Sequence, residues 1–415
     1  MAVVMDNVFV VFVFLVLIRW AAVLGLEQMN LRHVFAVIRR PAGRETEQEE
    51  QDRMLRYTQA KSRLTQVTST WDTLLLLIVI LIGFFPWFYQ QVVGVFGEHL
   101  WGQAIFLFGL SLLSAAVDLP FDWYRQFRLE ERFGFNTSTQ GLWWRDRLLM
   151  LILSLVLVYP LLVLILQIVQ WTGASWWFWV WLTIIVYQLL MLLIVPRFIM
   201  PLFNTFEPLP EGSLKEKLQE VATRSGVVFK SIQVMDGSKR SRHSNAFLSG
   251  LGKFKKIALF DTLIQQLEED EVKAVVAHEM GHQVKWHIPK QLLWVSVLLL
   301  VELYIVSLLI DAPWLIEPFG LSAGIFVHGL LVVSLFGSLM TFWLSPLENR
   351  ISRRFEYEAD RYAGELLGES RSMITALEKL EKSNLSNPAP HPVYSSFYYS
   401  HPTVKERVAA LENIH

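Results

Sequence analysis

Cysteine is absent from all 415 residues. Disulfides and thiolate metal sites are therefore excluded, and any zinc must be held by His, Asp or Glu. Net charge is −1, so the chain has no global basic field that would suggest nucleic acid as a partner. The start has no basic n-region and no small-residue cleavage site, and its apolar stretch is long, so no cleavable signal peptide is expected. Neither terminus carries an ER-retention or lipidation signal, and we find no internal repeat or low-complexity tract. What the chain has instead is apolar surface. It is 53% hydrophobic, with 16 Trp and 28 Phe, and its mean hydropathy is +0.37. Those values suit a protein that lives in lipid.

Seven stretches are long enough to span a bilayer, at about 5–26, 72–96, 100–120, 147–170, 174–196, 291–310 and 321–344. The third ends at Asp118-Leu119-Pro120. The first carries Arg19, which calls for a polar partner or for snorkelling to the interface. Residues 27–70 hold eight Lys or Arg, among them Arg39, Arg40 and Arg44, and the 121–146 loop holds Arg125, Arg128, Arg132 and Arg145. The segment 197–290 and the tail after 345 are also basic. The connections near 97–99, 171–173 and 311–320 have no Lys or Arg. This alternation puts the N-terminus outside and the C-terminus in the cytoplasm.

Two soluble parts remain. In the first, Ser213-Leu214-Lys215-Glu216 reads as a capping box opening a helix that stops at Gly226. Residues 227–235, 245–250 and 255–260 read as short strands separated by glycine-containing turns. A helix from about 269 follows, its acidic start (Glu268 to Glu271) matched to the positive helix end. That helix carries His278-Glu279-Met280-Gly281-His282, an HExxH motif. Two imidazoles four residues apart share one face and can ligate one metal, with Glu279 close to a water held there. His287 falls at the end of the same helix, off the ligand face. A catalytic zinc wants a third protein ligand and an open position. Glu356 and Asp360 lie four apart on a downstream helix that begins the soluble tail. One of them could bind the metal while the other takes a hydrogen bond from a ligating imidazole.

HExxH followed after two spans by FEYEAD (355–360) resembles the integral-membrane CaaX prenyl protease family, a group of zinc metallopeptidases. LPFDWYRQFRLEERFGFN at 119–136, PLFNTFEPLPEG at 201–212, SRHSNAFLSG at 241–250 and SHPTVKERVAALE at 400–412 are similar to further elements of that family, in the same order. The resemblance implies a mainly α, polytopic seven-helix membrane protein with a cytoplasmic-side, gluzincin-like zinc protease domain that contains a small β-sheet. Residues 1–196 would form spans one to five and 197–290 the part with HExxH. Residues 291–344 would form spans six and seven, and 345–415 the part with the third ligand. It also implies one Zn2+ held by His278, His282 and Glu356, with Asp360 behind a ligating imidazole. Glu279 would serve as general base and His401 as oxyanion donor. Asn245 would bind the substrate backbone, and Arg407 is a candidate clamp for a substrate carboxylate.

The implied substrate is a peptide or protein, with or without a lipid, cut near its C-terminus at the membrane. A broad-specificity membrane quality-control metalloprotease is the alternative within this chemistry. A seven-helix transporter or receptor with an accidental HExxH is the alternative outside it, although no paired helix breaks of the transporter kind are present. Chain length favours a bacterial inner membrane over an ER membrane. Glu302 and His328 sit at membrane depth, and we expect them to line a wet chamber enclosed by the spans.

Overall fold

The computed structural model describes residues 6–38, 45–249 and 255–413. Arg39, Arg40, Arg44, Gly250 and the turn after it lie outside them. Long helices dominate, because only a helix can pair every backbone group within one segment inside lipid. In chain order they are α1 (Asn7–Ile38), α2 (Glu45–Leu81), α3 (Phe84–Phe96), α4 (Leu100–Tyr124), α5 (Gln140–Thr172) and α6 (Trp176–Ile194). After the first soluble part come α11 (His287–Leu309) and α13 (Phe326–Leu367). Among the described residues, six stretches are apolar and long enough to cross a membrane. One of them, Gln140–Phe203, holds both α5 and α6 folded back at Gly173 (φ 52°), so it supplies two spans and the total is seven.

Two boundaries differ from expectation. The second span is not one helix over 72–96. It breaks at Gly83, whose φ of 69° ends α2 and starts α3. Nor does α4 end at Pro120. It runs through that proline and continues as a π-turn, Arg125–Glu130. A proline removes one backbone bond, and packing of α4 against α3 and α5 outweighs the loss.

The spans form a closed ring. Each packs on its neighbours in the order α1, α2, α3 with α4, α5, α6, α11, α13 and back to α1. Among the described residues every spanning helix belongs to this ring, and at most 17% of any spanning window is buried. One end of the ring is plugged by Phe9, Phe12, Trp176, Ile316, Phe319 and Leu321, with Phe12 and Phe319 packed edge to face at 5.3 Å. Arg19 rests its guanidinium 5.9 Å from the ring centre of Phe342. His328 does not line a wet interior. It is 3% exposed, stacks edge-on against Tyr89, and its Nδ1 accepts from the Ser322 N–H at 3.1 Å. That backbone donor lets an imidazole pack into the plugged end. Glu302 is exposed beside Gly337.

The soluble part opens with α7 (Met200–Phe203), β1 (Phe206–Pro208), α8 (Ser213–Ser225), β2 (Ser231–Met235), β3 (Ala246–Ser249) and β4 (Lys256–Phe260). Next come α9 (Asp261–Gln266) and α10 (Glu269–Val284), and after α11 the short α12 (Pro313–Ile316). The tail adds α14 (Arg371–Ser383), α15 (Pro392–Tyr398) and α16 (Val404–Glu412). The sheet runs β1-β2-β4-β3, with β2 and β4 parallel and both outer pairs antiparallel. β4 is central and β3 is an edge. Ile257 and Leu259 are fully buried with Leu218, Val276, Met280 and Ala363, which welds the sheet to α8, α10 and α13.

Ser213 does not cap α8. Its hydroxyl donates to Glu269 instead, and Gly212 takes the N-cap position. Capping boxes occur at Glu268/Glu271 on α10 and at Thr403/Glu406 on α16.

The absence of cysteine gives a clean test of the ring. A single Glu302→Cys variant is expected to react with a small water-soluble thiol reagent in intact membranes. Protection equal to that of a lipid-buried cysteine would contradict a water-filled interior.

Candidate active site

α10 is buried on almost every side. Val272, Ala274, Val275, Val276, Ala277, His278, Met280 and Gly281 are all covered. It crosses α13 at closest range where Gly281 meets Ala359: a Cβ on Gly281 would lie 2.9 Å from the Ala359 Cα. Two small residues thus let two backbones touch, and that contact fixes Glu356 opposite the paired imidazoles one turn away on each helix.

His278 Nε2 and His282 Nε2 face each other at 3.2 Å. Glu356 Oε2 lies 3.4 Å from His278 Nε2, and Glu356 Oε1 lies 3.4 Å from His282 Nε2. A tetrahedral zinc with ordinary bond lengths holds its ligand atoms about 3.3–3.4 Å apart. The two imidazoles have that spacing from each other and each has it from one oxygen of the same carboxylate, so these three residues form a possible metal-holding group. Glu356 is 3% exposed, and its buried Oε2 makes no well-aligned hydrogen bond, although His401 Nδ1 lies 2.8 Å away. An inward-facing carboxylate oxygen of that kind fits the role of a cation ligand. A borderline-soft divalent ion suits the mixed nitrogen and oxygen set.

Asp360, 1% exposed, accepts from His278 Nδ1 at 2.9 Å. This is the expected partner of a ligating imidazole. Arg407 is placed otherwise than expected. It is 8% exposed, and its Nε and Nη2 donate to Asp360 at 2.8 and 2.6 Å. A buried carboxylate needs a counter-charge, so this guanidinium braces Asp360 rather than standing free for a substrate carboxylate.

His401 comes from the turn before α16 with its side chain 65% exposed and its Nδ1 turned to Glu356. The Thr403/Glu406 capping box holds that turn and thereby sets both His401 and Arg407. Asn245 stands just before β3, is exposed, and accepts from the Ala246 N–H at 2.8 Å. It makes no direct contact with the metal-holding group, but β3 packs on α10. The approach to β3 is held by the 119–136 element, where His243 stacks on Phe135 and lies 3.4 Å from Glu130, and by α5, where Arg240 donates to Asp146.

Reading the sequence missed a second set of partners. His287 is not on the HExxH helix. Trp286, at φ 58°, breaks the chain there, and His287 begins α11. The break turns its ring back so that His287 Nδ1 lies 2.9 Å from His282 Nδ1, with Glu358 Oε2 3.2 Å from its Nε2. The signal available in the sequence was a histidine five residues past the motif, read as the end of the HExxH helix when it opens the next one.

Glu279 is half-buried, and its carboxyl has no hydrogen-bond partner among the described residues. Burial pushes it above the usual carboxylate range. Burial pulls His282 down to about 4, helped by the charge of His278. For His278 burial also acts downward, but the Asp360 and Glu356 hydrogen bonds overcome it and lift the imidazole to about 9.

The fold and site define a membrane-embedded metallopeptidase. Residues 33–205 match the CAAX prenyl protease N-terminal family with five membrane helices, and residues 208–415 match peptidase family M48. The CAAX prenyl protease 1 homolog of Arabidopsis thaliana is 36% identical over 80% of both chains. CAAX prenyl protease 1 of Saccharomyces cerevisiae is 35% identical over 86% of this chain and 84% of its own. The crystal structure of S. mikatae Ste24p superposes with a TM-score of 0.90 at 30% identity, covering 98% of this chain and 99% of that one. The chain belongs to the integral-membrane CaaX prenyl protease family within peptidase family M48, and it is a metalloprotease. The expected bacterial inner membrane has no support. Those relatives are eukaryotic, and equal coverage with the Arabidopsis protein makes the two chains about equally long, which removes the length argument.

Two outcomes follow from the geometry. A metal must displace the proton that His278 holds up to about 9, so affinity is expected to rise about tenfold per pH unit between about pH 6 and about pH 8. Chelator competition measures this, and a flat profile contradicts it. Gly281→Val should push α10 off α13 and weaken metal retention about tenfold or more, with the metal content of purified protein as the readout.

Proposed function

We propose that this chain is a zinc-dependent endopeptidase that cuts prenylated CaaX proteins near their C-termini. The observation that carries the metal part is the 3.2–3.4 Å spacing of His278, His282 and Glu356 around one point. When bound, zinc lowers the pKa of a water toward neutrality and polarises the scissile carbonyl. Asp360 fixes the His278 ring with Nε2 turned inward, and Arg407 holds Asp360 ionised. Glu279, one residue along from His278, accepts a proton from the attacking water and delivers it to the leaving amine nitrogen. Its upward shift by burial suits both halves of that exchange. His401, held beside the site with its Nδ1 2.8 Å from Glu356, is the side chain placed to donate an N–H to the oxyanion of the tetrahedral intermediate. An extended peptide pairing with the open edge of β3 would bring its backbone past Asn245 and over α10.

The lipidated substrate is supported by the relatives' names. Basic connections support placing the N-terminus outside and the active site on the cytoplasmic face.

Glu279→Gln should hold one zinc per chain as the wild type does and lose about three or more orders of magnitude in kcat. Loss of metal together with activity would remove Glu279 from this role. A farnesylated CaaX peptide and its unmodified counterpart, each with and without a chelator, test the substrate. Preferential, chelator-sensitive cleavage of the farnesylated peptide is expected. Equal cleavage of both would mark a broad-specificity quality-control protease instead.

A further inference from the structure

We infer that His287 is a positioning residue for the second imidazole of the metal site, acting through a relay that ends in Glu358 and Arg354. The inference rests on the reading of His278, His282 and Glu356 as the metal-holding group. Once His282 turns Nε2 to the metal, its Nδ1 must carry the proton and needs an acceptor. The atom that meets it is His287 Nδ1, at 2.9 Å. That nitrogen accepts only if His287 carries its own proton on Nε2, and the Nε2 faces Glu358 Oε2 at 3.2 Å. The other oxygen of Glu358 accepts from Arg354 Nε at 2.9 Å. Every donor in the chain finds an acceptor, so a single tautomer of each ring satisfies the whole path.

The ring is also held physically. Phe355 stacks on His287 at 4.4 Å with planes 10° apart, and His287 is 2% exposed. The left-handed Trp286 is strained for a bulky residue, and it lets the chain reverse so that this ring looks back at His282. The two ligating imidazoles thus have separate braces. His278 leans on Asp360 and Arg407, and His282 leans on His287, Glu358 and Arg354. Both carboxylates belong to α13, as does Glu356, so one helix supplies the third ligand and the anchor of each brace.

Three variants of the full-length protein test this. His287→Phe keeps the ring stacked on Phe355 but cannot accept a hydrogen bond. It should fold with an unchanged melting temperature when metal-free, yet release zinc to a chelator about 10–100-fold faster. His287→Asn places an amide oxygen near the position of Nδ1 and should restore most of the retention. Glu358→Gln retains an acceptor for Nε2–H without its charge and should fall between wild type and His287→Phe. The relay is overturned if His287→Phe holds zinc as long as wild type, or if His287→Asn releases it as fast as His287→Phe. A wild type that holds no zinc overturns the metal reading itself, a result distinct from either.

Discussion

The contact between Gly281 and Ala359 is the constraint on which the rest of the site depends. Ligands that lie 74 residues apart in the chain meet because two helices can bring their backbones together there. A side chain at 281 would hold α13 away, and the carboxylate of Glu356 would miss the point shared by both imidazoles. The motif spacing explains why two histidines share a face. It does not explain why a third group arrives, and that needs the small residues.

Bringing ligands together also concentrates charge. Glu356 and Asp360 are both nearly sealed from water, and isolated burial of either would be costly. Arg407 offsets this by taking both oxygens of Asp360 while its Nη1 stays 3.9 Å from Glu356. The tail of the chain is therefore structural to the site: α16 is the last helix, and it delivers the counter-charge without which the His278 brace would not stay ionised. Contacts from Asn387 and His391 to Asn30 on α1 tie the same tail to the first span.

Much of this was readable from residues alone. HExxH, the FEYEAD element and the seven apolar runs specify local geometry, and local geometry follows from spacing. The three longer strands were equally legible as short runs between glycine-containing turns, although the short β1 was not. What escaped depended on tertiary context. Gly83 and Trp286 break helices that hydropathy reads as continuous, because left-handed backbone leaves no mark in an apolar pattern. Ser213 had the pattern of a cap but found a better acceptor in Glu269, from a helix far along the chain. Arg407 looked like a solvent-facing ligand for a carboxylate, since only the packed fold shows that Asp360 has already taken it. His328 looked like a cavity residue until the Ser322 backbone and Tyr89 were seen to enclose it.

α13 is a single helix of 42 residues, roughly 60 Å of rod, that begins among the plugging aromatics and ends in the hydrolytic centre. Pro346 interrupts its backbone pairing between those halves. The rod that stands among the plugging aromatics and the arm that holds Glu356 are one element, answering to lipid-facing neighbours at one end and to two imidazoles at the other.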